Sequence, residues 1–257
     1  MSPPDSRDPR FLQAAEITTA TYDQKAEDYA TRNEEQPEFW SERMERFVEV
    51  MEQALEERPI ADIASLGRPG DDIALEDYLA FVPVLDAGCG PGRDARLLAA
   101  RNLPVLAVDL SQGMLDAAGE RTARRLPKGA IRYALMDLRR LELPDGCVRG
   151  VWCSASLLHV PRRSAERAIA ELARVARPDA PIALFLKRRK PNEAVEAYEP
   201  YPGENPENLT RYYTFYTEDE VAALLTRAGL DRIETRVSDK RVSPTDHAWI
   251  CALARKR

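Results

Sequence analysis

Three glycines stand close together between an apolar run and a helical pattern, in the segment VLDAGCGPGRDARLL of residues 84–98. Gly88, Gly90 and Gly92 let the backbone of a tight turn approach a ligand closely, because glycine has no side chain to keep the ligand away. A helix that follows such a turn offers unpaired backbone amides at its N-terminus. Asp86 adds a carboxylate just before the turn. The segment therefore predicts a ligand site with the backbone as one wall.

Carboxylates also stand at the ends of two later apolar runs. Asp109 closes PVLAVD, 17 residues after Gly92, close to the ~20-residue spacing of an acid that accepts hydrogen bonds from both hydroxyls of a ribose. Asp137 closes ALMD, where its carboxylate can accept from the exocyclic amine of an adenine while the amide of Leu138 donates to the ring. One acid at a strand end is more often a helix cap, but the joint placement predicts a nucleoside site. The next two runs end in Ser154 and Ala155 and in Lys187.

The same turn disfavours a nicotinamide dinucleotide. The dinucleotide fingerprint, Gly-x-Gly-x-x-Gly, requires a third glycine at position 93. This chain has Arg93 there. The turn therefore predicts a nucleoside ligand of another kind.

Alternating strand and helix patterns place these residues on a parallel sheet. Such alternation favours parallel strands joined by right-handed crossovers, and their carboxyl ends then meet at one edge, where ligands bind. A last helix at 217–228 precedes two strand-like runs, at 231–238 and 246–255, that are close enough to pair antiparallel. The earlier runs predict strands at 84–87, 104–109, 130–137, 148–156 and 180–187, and helices at 93–101, 111–125 and 163–176.

The beginning of the chain is predicted to be helical. Residues 1–10 read as a disordered tail, 11–83 as an N-terminal helical cap with a connector, and 84–257 as the ligand-binding domain. In the segment PEFWSERMERFVEVMEQALEER the apolar residues recur at helical intervals. We expect cap and core to form one unit.

Composition narrows the class of protein. The chain has 257 residues, 44% hydrophobic and 31% charged, which suits one globular domain with additions. No stretch approaches the ~20 apolar residues of a membrane helix, and MSPPDSRDPR is unlike a signal peptide, so we expect a cytoplasmic protein without membrane contact. Four cysteines without a CxxC spacing and two histidines predict no metal site. A net charge of -6 argues against indiscriminate binding to nucleic acid.

Four segments resemble, in order and spacing, the successive motifs of the class I S-adenosylmethionine-dependent methyltransferases. They are VLDAGCGPGRD, VLAVDLSQGML, MDLRRLELPDGCVRGVWCSASLLHV and AIAELARVARPDAPIALFLK, and the likeness runs from about Tyr22 to the C-terminus. The resemblance implies an α/β fold: a doubly wound, seven-stranded, mostly parallel, Rossmann-like sheet with an antiparallel last strand, preceded by the helical cap. It also implies S-adenosyl-L-methionine as the cofactor.

The resemblance also implies where the cofactor lies. S-adenosylmethionine would cover the glycine turn, with its adenine between the second and third strands. Tyr22 or Tyr29, in TYDQKAEDYA, would close over its methionine end, although these tyrosines, seven residues apart, equally fit one packed helix face. The cofactor-binding residues expected on this basis are Tyr22, Tyr29, Asp86, Gly88, Gly90, Gly92, Arg93, Asp109, Leu110, Ser111, Met114, Asp137, Leu138, Ser154 and Ala155.

The activity implied is methyl transfer to an oxygen or nitrogen of a small molecule. A general base is optional, and His159 in SLLHVP is the candidate. The alternative is that His159 has a structural role or orients the cofactor.

We expect substrate contacts near the basic run KRRK and near an aromatic cluster that Thr217 follows as the cap of a helix. The alternative for KRRK is a solvated loop, and the alternative for the aromatic cluster is core packing. Residues 191–209 read as a mobile flap over the entrance. The substrate residues predicted are Lys187, Arg188, Tyr212, Tyr213 and Tyr216.

Other functions fit parts of the pattern. A tRNA methyltransferase would use the basic run and the aromatic cluster, but the acidic total opposes it. A cofactor-binding module without catalysis and a nicotinamide oxidoreductase would share the fold. The acceptor and the oligomeric state are not defined by the sequence.

Overall fold

The computed structural model describes residues 9–34, 38–57, 74–126, 130–205, 209–238 and 247–257, with side chains from Gln13 onward. The predicted tail therefore lies almost wholly outside the described residues, as does most of the connector before the first strand. Within the described ranges, no helix combines the length and the apolar character needed to cross a bilayer.

Seven strands form one sheet in the order β3-β2-β1-β4-β5-β9-β8. All run parallel except β9, which pairs antiparallel with both β5 and β8. The predicted fold class is thereby confirmed, including the antiparallel last strand. The strands are β1 (Val84–Ala87), β2 (Val105–Asp109), β3 (Ile131–Leu135), β4 (Gly150–Ser154), β5 (Pro181–Lys187), β8 (Leu230–Ser238) and β9 (Trp249–Lys256).

The central strands are continuous apolar runs because both faces of the sheet are covered. All residues of β1 and β5 are buried, as is usual for strands of a parallel sheet between helical layers. The strand order reverses between β1 and β4, which leaves a crevice at their carboxyl ends. The helices that connect the strands are α4 (Arg93–Ala99), α5 (Gln112–Ala123), α6 (Arg162–Val175) and α7 (Glu218–Arg227).

The N-terminal helices α1 (Pro9–Arg32) and α2 (Glu38–Glu57) pack on this core, and a short α3 (Leu75–Leu79) precedes β1. Phe47 of α2 is fully buried, with its ring centroid 5.4 Å from that of Trp152. On α1, the carboxylate of Asp23 accepts hydrogen bonds from the Ser111 hydroxyl at 2.6 Å and from the Gly113 amide at 2.9 Å. The N-terminus of α5 is therefore the anchor of α1.

A two-stranded antiparallel sheet lies outside the main sheet, formed by β6 (Glu196–Pro200) and β7 (Thr210–Thr214). Part of the segment predicted as a flap, 191–209, is thus a strand, and the first aromatic residues of the cluster lie in β7 instead of a loop. The loop predicted for these aromatic residues was wrong because the pairing is between strands, which a local pattern does not reveal. The mobility of 191–209 stays a prediction. The predicted cap of α7 is confirmed, since Thr217 and Glu220 form a reciprocal capping box.

The contact between α1 and α5 can be tested with two glycines of the same helix. A Cβ atom on Gly113 would lie 2.9 Å from backbone atoms of Asp23, whereas one on Gly119 would meet nothing within 4 Å. Alanine favours a helix by ~1 kcal/mol over glycine, so Gly119→Ala should be neutral or stabilising. Gly113→Ala should instead lower the free energy of unfolding by ~1–3 kcal/mol, as measured by urea denaturation. Equal effects of the two substitutions would mean that α1 does not rest on α5.

Candidate functional site

A cavity of about 340 Å³ opens at the carboxyl ends of the parallel strands. The last residues of β2, β4 and β5 line it, as does Asp86, the third residue of β1. Helix α1, α2 and strand β7 supply the remaining walls. The cavity therefore occupies the crevice created by the reversal of strand order.

The glycine turn forms one wall through its backbone. Gly88 and Gly90 have φ angles of +77° and +53°, in the region that favours glycine. A Cβ atom on Gly88 would lie 2.1 Å from the Cβ of Ser156, so no other residue fits there. Gly92 also has a positive φ but lies outside the cavity wall: it is the N-cap of α4, where a Cβ would meet the Tyr133 hydroxyl at 2.7 Å.

Asp109 links the tip of β2 to this turn. Its carboxylate accepts hydrogen bonds from the amide of Gly90 at 2.8 Å and from that of Ser111 at 2.9 Å. Burial raises the pKa of Asp109 above its ordinary value, and the two amides act in the opposite direction. Each oxygen retains acceptor capacity towards the cavity, because a carboxylate accepts about four hydrogen bonds in all.

Asp86 and Asp94 lie deeper in the same wall. The Oδ2 atom of Asp86 is buried without a hydrogen-bond partner, and burial, with Asp94 nearby, raises the pKa of Asp86 well above its ordinary value. Burial also acts to raise the pKa of Asp94, but the Arg93 guanidinium at 2.8 Å holds it below the usual range. This half of the cavity is rich in carboxylates and suits a ligand with positive charge.

Aromatic side chains of the N-terminal helices cover the turn. The rings of Tyr22 and Tyr29 meet edge to face with centroids 5.3 Å apart, and both pack against Met114 of α5. From α2, the Trp40 indole donates to the Ser154 hydroxyl at 2.7 Å. The two tyrosines, seven residues apart, therefore lie on one packed face of α1 and also form part of the cavity wall.

His159 has a defined tautomer. Its Nδ1 atom lies 2.6 Å from the carbonyl oxygen of Tyr212, which can only accept, so Nδ1 carries the proton. Nε2 is then an acceptor, and the hydroxyl of Tyr22 donates to it at 2.9 Å. Burial lowers the pKa of His159 to about 3, so the imidazole is neutral at pH 7. The pair can take up a proton from a ligand group that contacts the Tyr22 oxygen.

Two buried cations occupy the opposite half of the cavity. The Lys187 ammonium donates to Glu199 at 2.8 Å and lies 3.4 Å from the centroid of the Tyr213 ring. Burial lowers the pKa of Lys187 to about 8. Arg211, the first residue of RYYTFY, is only 6% exposed and was not among the predicted site residues.

Most predicted site residues lie in this one cavity wall, but four do not. Arg188 is directed to the surface, where it pairs with Glu218 at 3.0 Å. The hydroxyl of Tyr212 hydrogen-bonds Glu196 outside the cavity, and Tyr216 is fully buried; Gly92 is the fourth. The predicted residues in the wall are Tyr22, Tyr29, Asp86, Gly88, Gly90, Arg93, Asp109, Leu110, Ser111, Met114, Asp137, Leu138, Ser154, Ala155, His159, Lys187 and Tyr213.

Several lining residues were not predicted from the sequence. Trp40 and Trp249 come from the N-terminal and C-terminal ends of the chain, and Tyr201 and Arg211 from the β6–β7 region. The two tryptophans lie in segments that predicted a packing helix and a strand. Tyr201 lies in the segment predicted as a flap, and Arg211 begins the run predicted to border the substrate entrance, but neither residue was singled out. Within the described ranges, His, Cys, Asp and Glu side chains form no group of three that could hold a metal ion.

Comparison with known proteins agrees with this geometry. Residues 84–179, from β1 to the turn before β5, match the sequence model of a methyltransferase domain. This segment is similar to the methyltransferase domains of class I S-adenosylmethionine-dependent enzymes. The predicted resemblance is therefore confirmed over this part of the chain.

Two curated relatives illustrate the range within this family. The chain is 27% identical over 180 residues to a methyltransferase of Streptomyces halstedii, covering 68% of this chain and 62% of that protein. It is 32% identical over 174 residues to an S-adenosyl-L-methionine-dependent Diels-Alderase of Talaromyces variabilis, covering 63% and 57%. The chain thus spans less than two thirds of the length of these relatives.

A solved structure shows that the fold extends beyond the matched domain. The 1,6-didemethyltoxoflavin-N1-methyltransferase of Burkholderia thailandensis, crystallised with 1,6-didemethyltoxoflavin and S-adenosylhomocysteine, superposes with a TM-score of 0.63. Sequence identity is 19%, and the match covers 99% of this chain and 93% of that one. The likeness in fold therefore includes the N-terminal helices and the β6–β7 sheet.

The neutral imidazole of His159 predicts a pH effect on stability. An unfolded histidine has a pKa of ~6.5, whereas that of His159 is lowered to about 3. The unfolded state therefore binds more protons below pH 6.5, and stability falls as the pH falls. Between pH 7.5 and 5 this should cost the native protein about 2 kcal/mol. His159→Asn should lose less stability over that interval, by about this amount, in urea unfolding. A parallel loss in both proteins would contradict a neutral, buried imidazole.

Proposed function

We propose that the protein transfers a methyl group from S-adenosyl-L-methionine to an oxygen or nitrogen of a small molecule. The observation that carries the proposal is the glycine turn held to Asp109, at the edge of the sheet where the strand order reverses. Enzymatic activity, cofactor and acceptor class are inferred together from this site and from the family.

The residues present fit S-adenosylmethionine. The unpartnered Oδ2 atom of Asp86 and its carboxylate neighbours suit a ligand that carries a sulfonium and an ammonium group. Gly88 and Gly90 would lie along its amino-acid portion, Asp109 would accept from the ribose hydroxyls, and Asp137 with Leu138 would hold the adenine. The absence of side chains at Gly88 and Gly90 leaves room for the ligand.

The protein's part in the reaction is alignment and exclusion of water. When bound, S-adenosylmethionine supplies an electrophilic methyl carbon on a positively charged sulfur. Tyr22, Trp40 and the β6–β7 sheet enclose the cavity and restrict the approach of the acceptor. Such positioning contributes an effective molarity worth ~7–11 kcal/mol of the barrier.

The pair formed by Tyr22 and His159 is proposed to remove the acceptor's proton. The Tyr22 oxygen takes the proton from the acceptor while its own proton passes to Nε2 of His159 along the existing 2.9 Å hydrogen bond. An O–H or N–H group becomes strongly acidic once its heavy atom bonds to the methyl carbon. A weak base such as this buried imidazole is then sufficient.

A tRNA substrate finds less support than a small molecule. Three cations of the KRRK run already have carboxylate partners: Lys187 with Glu199, Arg188 with Glu218 and Arg189 with Glu220. A phosphate backbone would have to displace these partners. The enclosed cavity instead suits an acceptor of limited size.

Cofactor binding without methyl transfer is the second candidate. The similarity to a protein named as an S-adenosyl-L-methionine-dependent Diels-Alderase favours it. Incubating the protein and a small-molecule extract with donor labelled in the methyl group separates the two. Labelled products support the proposal, and tight donor binding without any labelled product contradicts it.

Asp109→Asn should weaken S-adenosylmethionine binding by ~1.5–3 kcal/mol. An amide has one acceptor oxygen and therefore cannot accept from the backbone on both sides and from a ribose as well. Calorimetric titration gives the affinity, and the exposed Asp116 of α5, replaced by Asn, is the matched control. An unchanged affinity of Asp109→Asn in a folded protein would remove this residue from the cofactor site.

Tyr22→Phe should lower turnover by ~100-fold or more and leave donor affinity within about threefold, because the ring remains and only the proton carrier is lost. Label transfer into the extract measures turnover. Tyr198→Phe is the control, since Tyr198 is 47% exposed and lies outside the cavity wall. Near-normal turnover of Tyr22→Phe would leave the pair with a structural role only.

A further inference from the structure

Arg211 is a buried cation that faces the cavity. It lies on β7 with 6% of its surface exposed. Its Nε atom is buried and has no hydrogen-bond partner among the described residues, and no carboxylate there forms an ion pair with it. A buried charge is costly unless it is paired or hydrogen-bonded. The guanidinium has a side-chain hydrogen bond with Tyr22, but its Nε donor stays without a partner. This donor therefore points to a missing ligand group.

Aromatic rings stabilise Arg211 without neutralising it. Its Cζ atom lies 5.0 Å from the ring centroid of Tyr201, 5.3 Å from that of Tyr213 and 6.0 Å from that of Tyr22. Contacts between cations and ring faces are worth ~0.5–2 kcal/mol each. They hold the guanidinium in place and leave its positive charge available to a ligand.

The carboxylate across the β6–β7 ladder from Arg211 is already used. Glu199 stands opposite Arg211 in the β6–β7 register, but its carboxylate accepts from Lys187 at 2.8 Å. Burial is the main cause that lowers the pKa of Lys187, and the positive charge of Arg211 lowers it further, whereas Glu199 raises it. This half of the cavity carries a net positive charge.

We propose that Arg211 binds an anionic group, a carboxylate or a phosphate, of the methyl acceptor. The inference rests on the proposed function, because it assigns the acceptor to the half of the cavity opposite the carboxylates. A guanidinium presents paired donors that match either oxyanion. The indole Nε1 of Trp249, a second buried donor without a partner, lines the same cavity. Tyrosine rings around Arg211 favour a planar body on the anion.

The cofactor's own carboxylate is the rival ligand for Arg211, and one experiment separates the two. Protein loaded with S-adenosylhomocysteine is titrated calorimetrically with benzoate, with phenyl phosphate and with benzamide, the uncharged isostere of benzoate. The proteins compared are wild type, Arg211→Met, Arg211→Lys and the surface control Arg227→Met. Affinity for S-adenosylhomocysteine is measured separately for each.

Wild type and Arg227→Met should bind at least one of the two anions about tenfold or more tighter than benzamide. Arg211→Met should lose this preference and keep its S-adenosylhomocysteine affinity, and Arg211→Lys should retain part of it. The stronger of the two anions identifies the group as carboxylate or phosphate.

The proposal is overturned if neither anion exceeds benzamide on wild type, a comparison that needs no variant to fold. It is also overturned if Arg211→Met keeps the preference, or if Arg211→Met loses S-adenosylhomocysteine affinity tenfold with the preference intact. Failure of wild type to bind S-adenosylhomocysteine at all is a different result, which contradicts the proposed function.

Discussion

The hydrogen bond from the Gly90 amide to Asp109 joins the two strand ends on which the site depends. The chain leaves β1, reverses, and is held to the tip of β2 by this bond and by the Gly88 and Cys89 amides, which donate to the Val108 carbonyl. Only positive φ angles at the glycines allow so sharp a reversal. The reversal fixes where α4 begins and leaves the cavity free of side chains on that side.

Elements outside the sheet complete the cavity, and hydrogen bonds fasten each of them to its neighbours. Asp23 fastens α1 to α5, Trp40 fastens α2 to Ser154, and the Tyr212 carbonyl fastens β7 to His159. The last contact also defines the tautomer of His159 and hence the direction of the bond from Tyr22. The position of the β6–β7 sheet thereby determines which nitrogen of His159 can accept a proton in the cavity.

The strand ends could be predicted from the sequence because their patterns are local: an apolar run followed by Asp109 or Lys187 marks the edge of a parallel sheet. The facing of single residues also follows from the twofold period of a strand. Neighbouring residues of a strand therefore face opposite sides: Lys187 and Tyr213 face the cavity, whereas Arg188 and Tyr212 do not. Arg211, two residues before Tyr213, faces the cavity as Tyr213 does. That signal was present in RYYTFY, but the segment had first to be recognised as a strand, and its partner β6 lies across a loop.

The charges of the cavity are arranged by sign. Carboxylates lie at the ends of β1 and β2, where Arg93 pairs with Asp94, and further cations lie at the end of β5 and on β7. The neutral His159 contacts β7 through the Tyr212 carbonyl. A protonated imidazole there would face Arg211 and Lys187, which after burial are the charges that lower its pKa. Burial is the main reason that the imidazole is neutral, and the two cations act in the same direction. In the proposed reaction, an anionic acceptor attracted by these cations would therefore arrive beside a neutral imidazole.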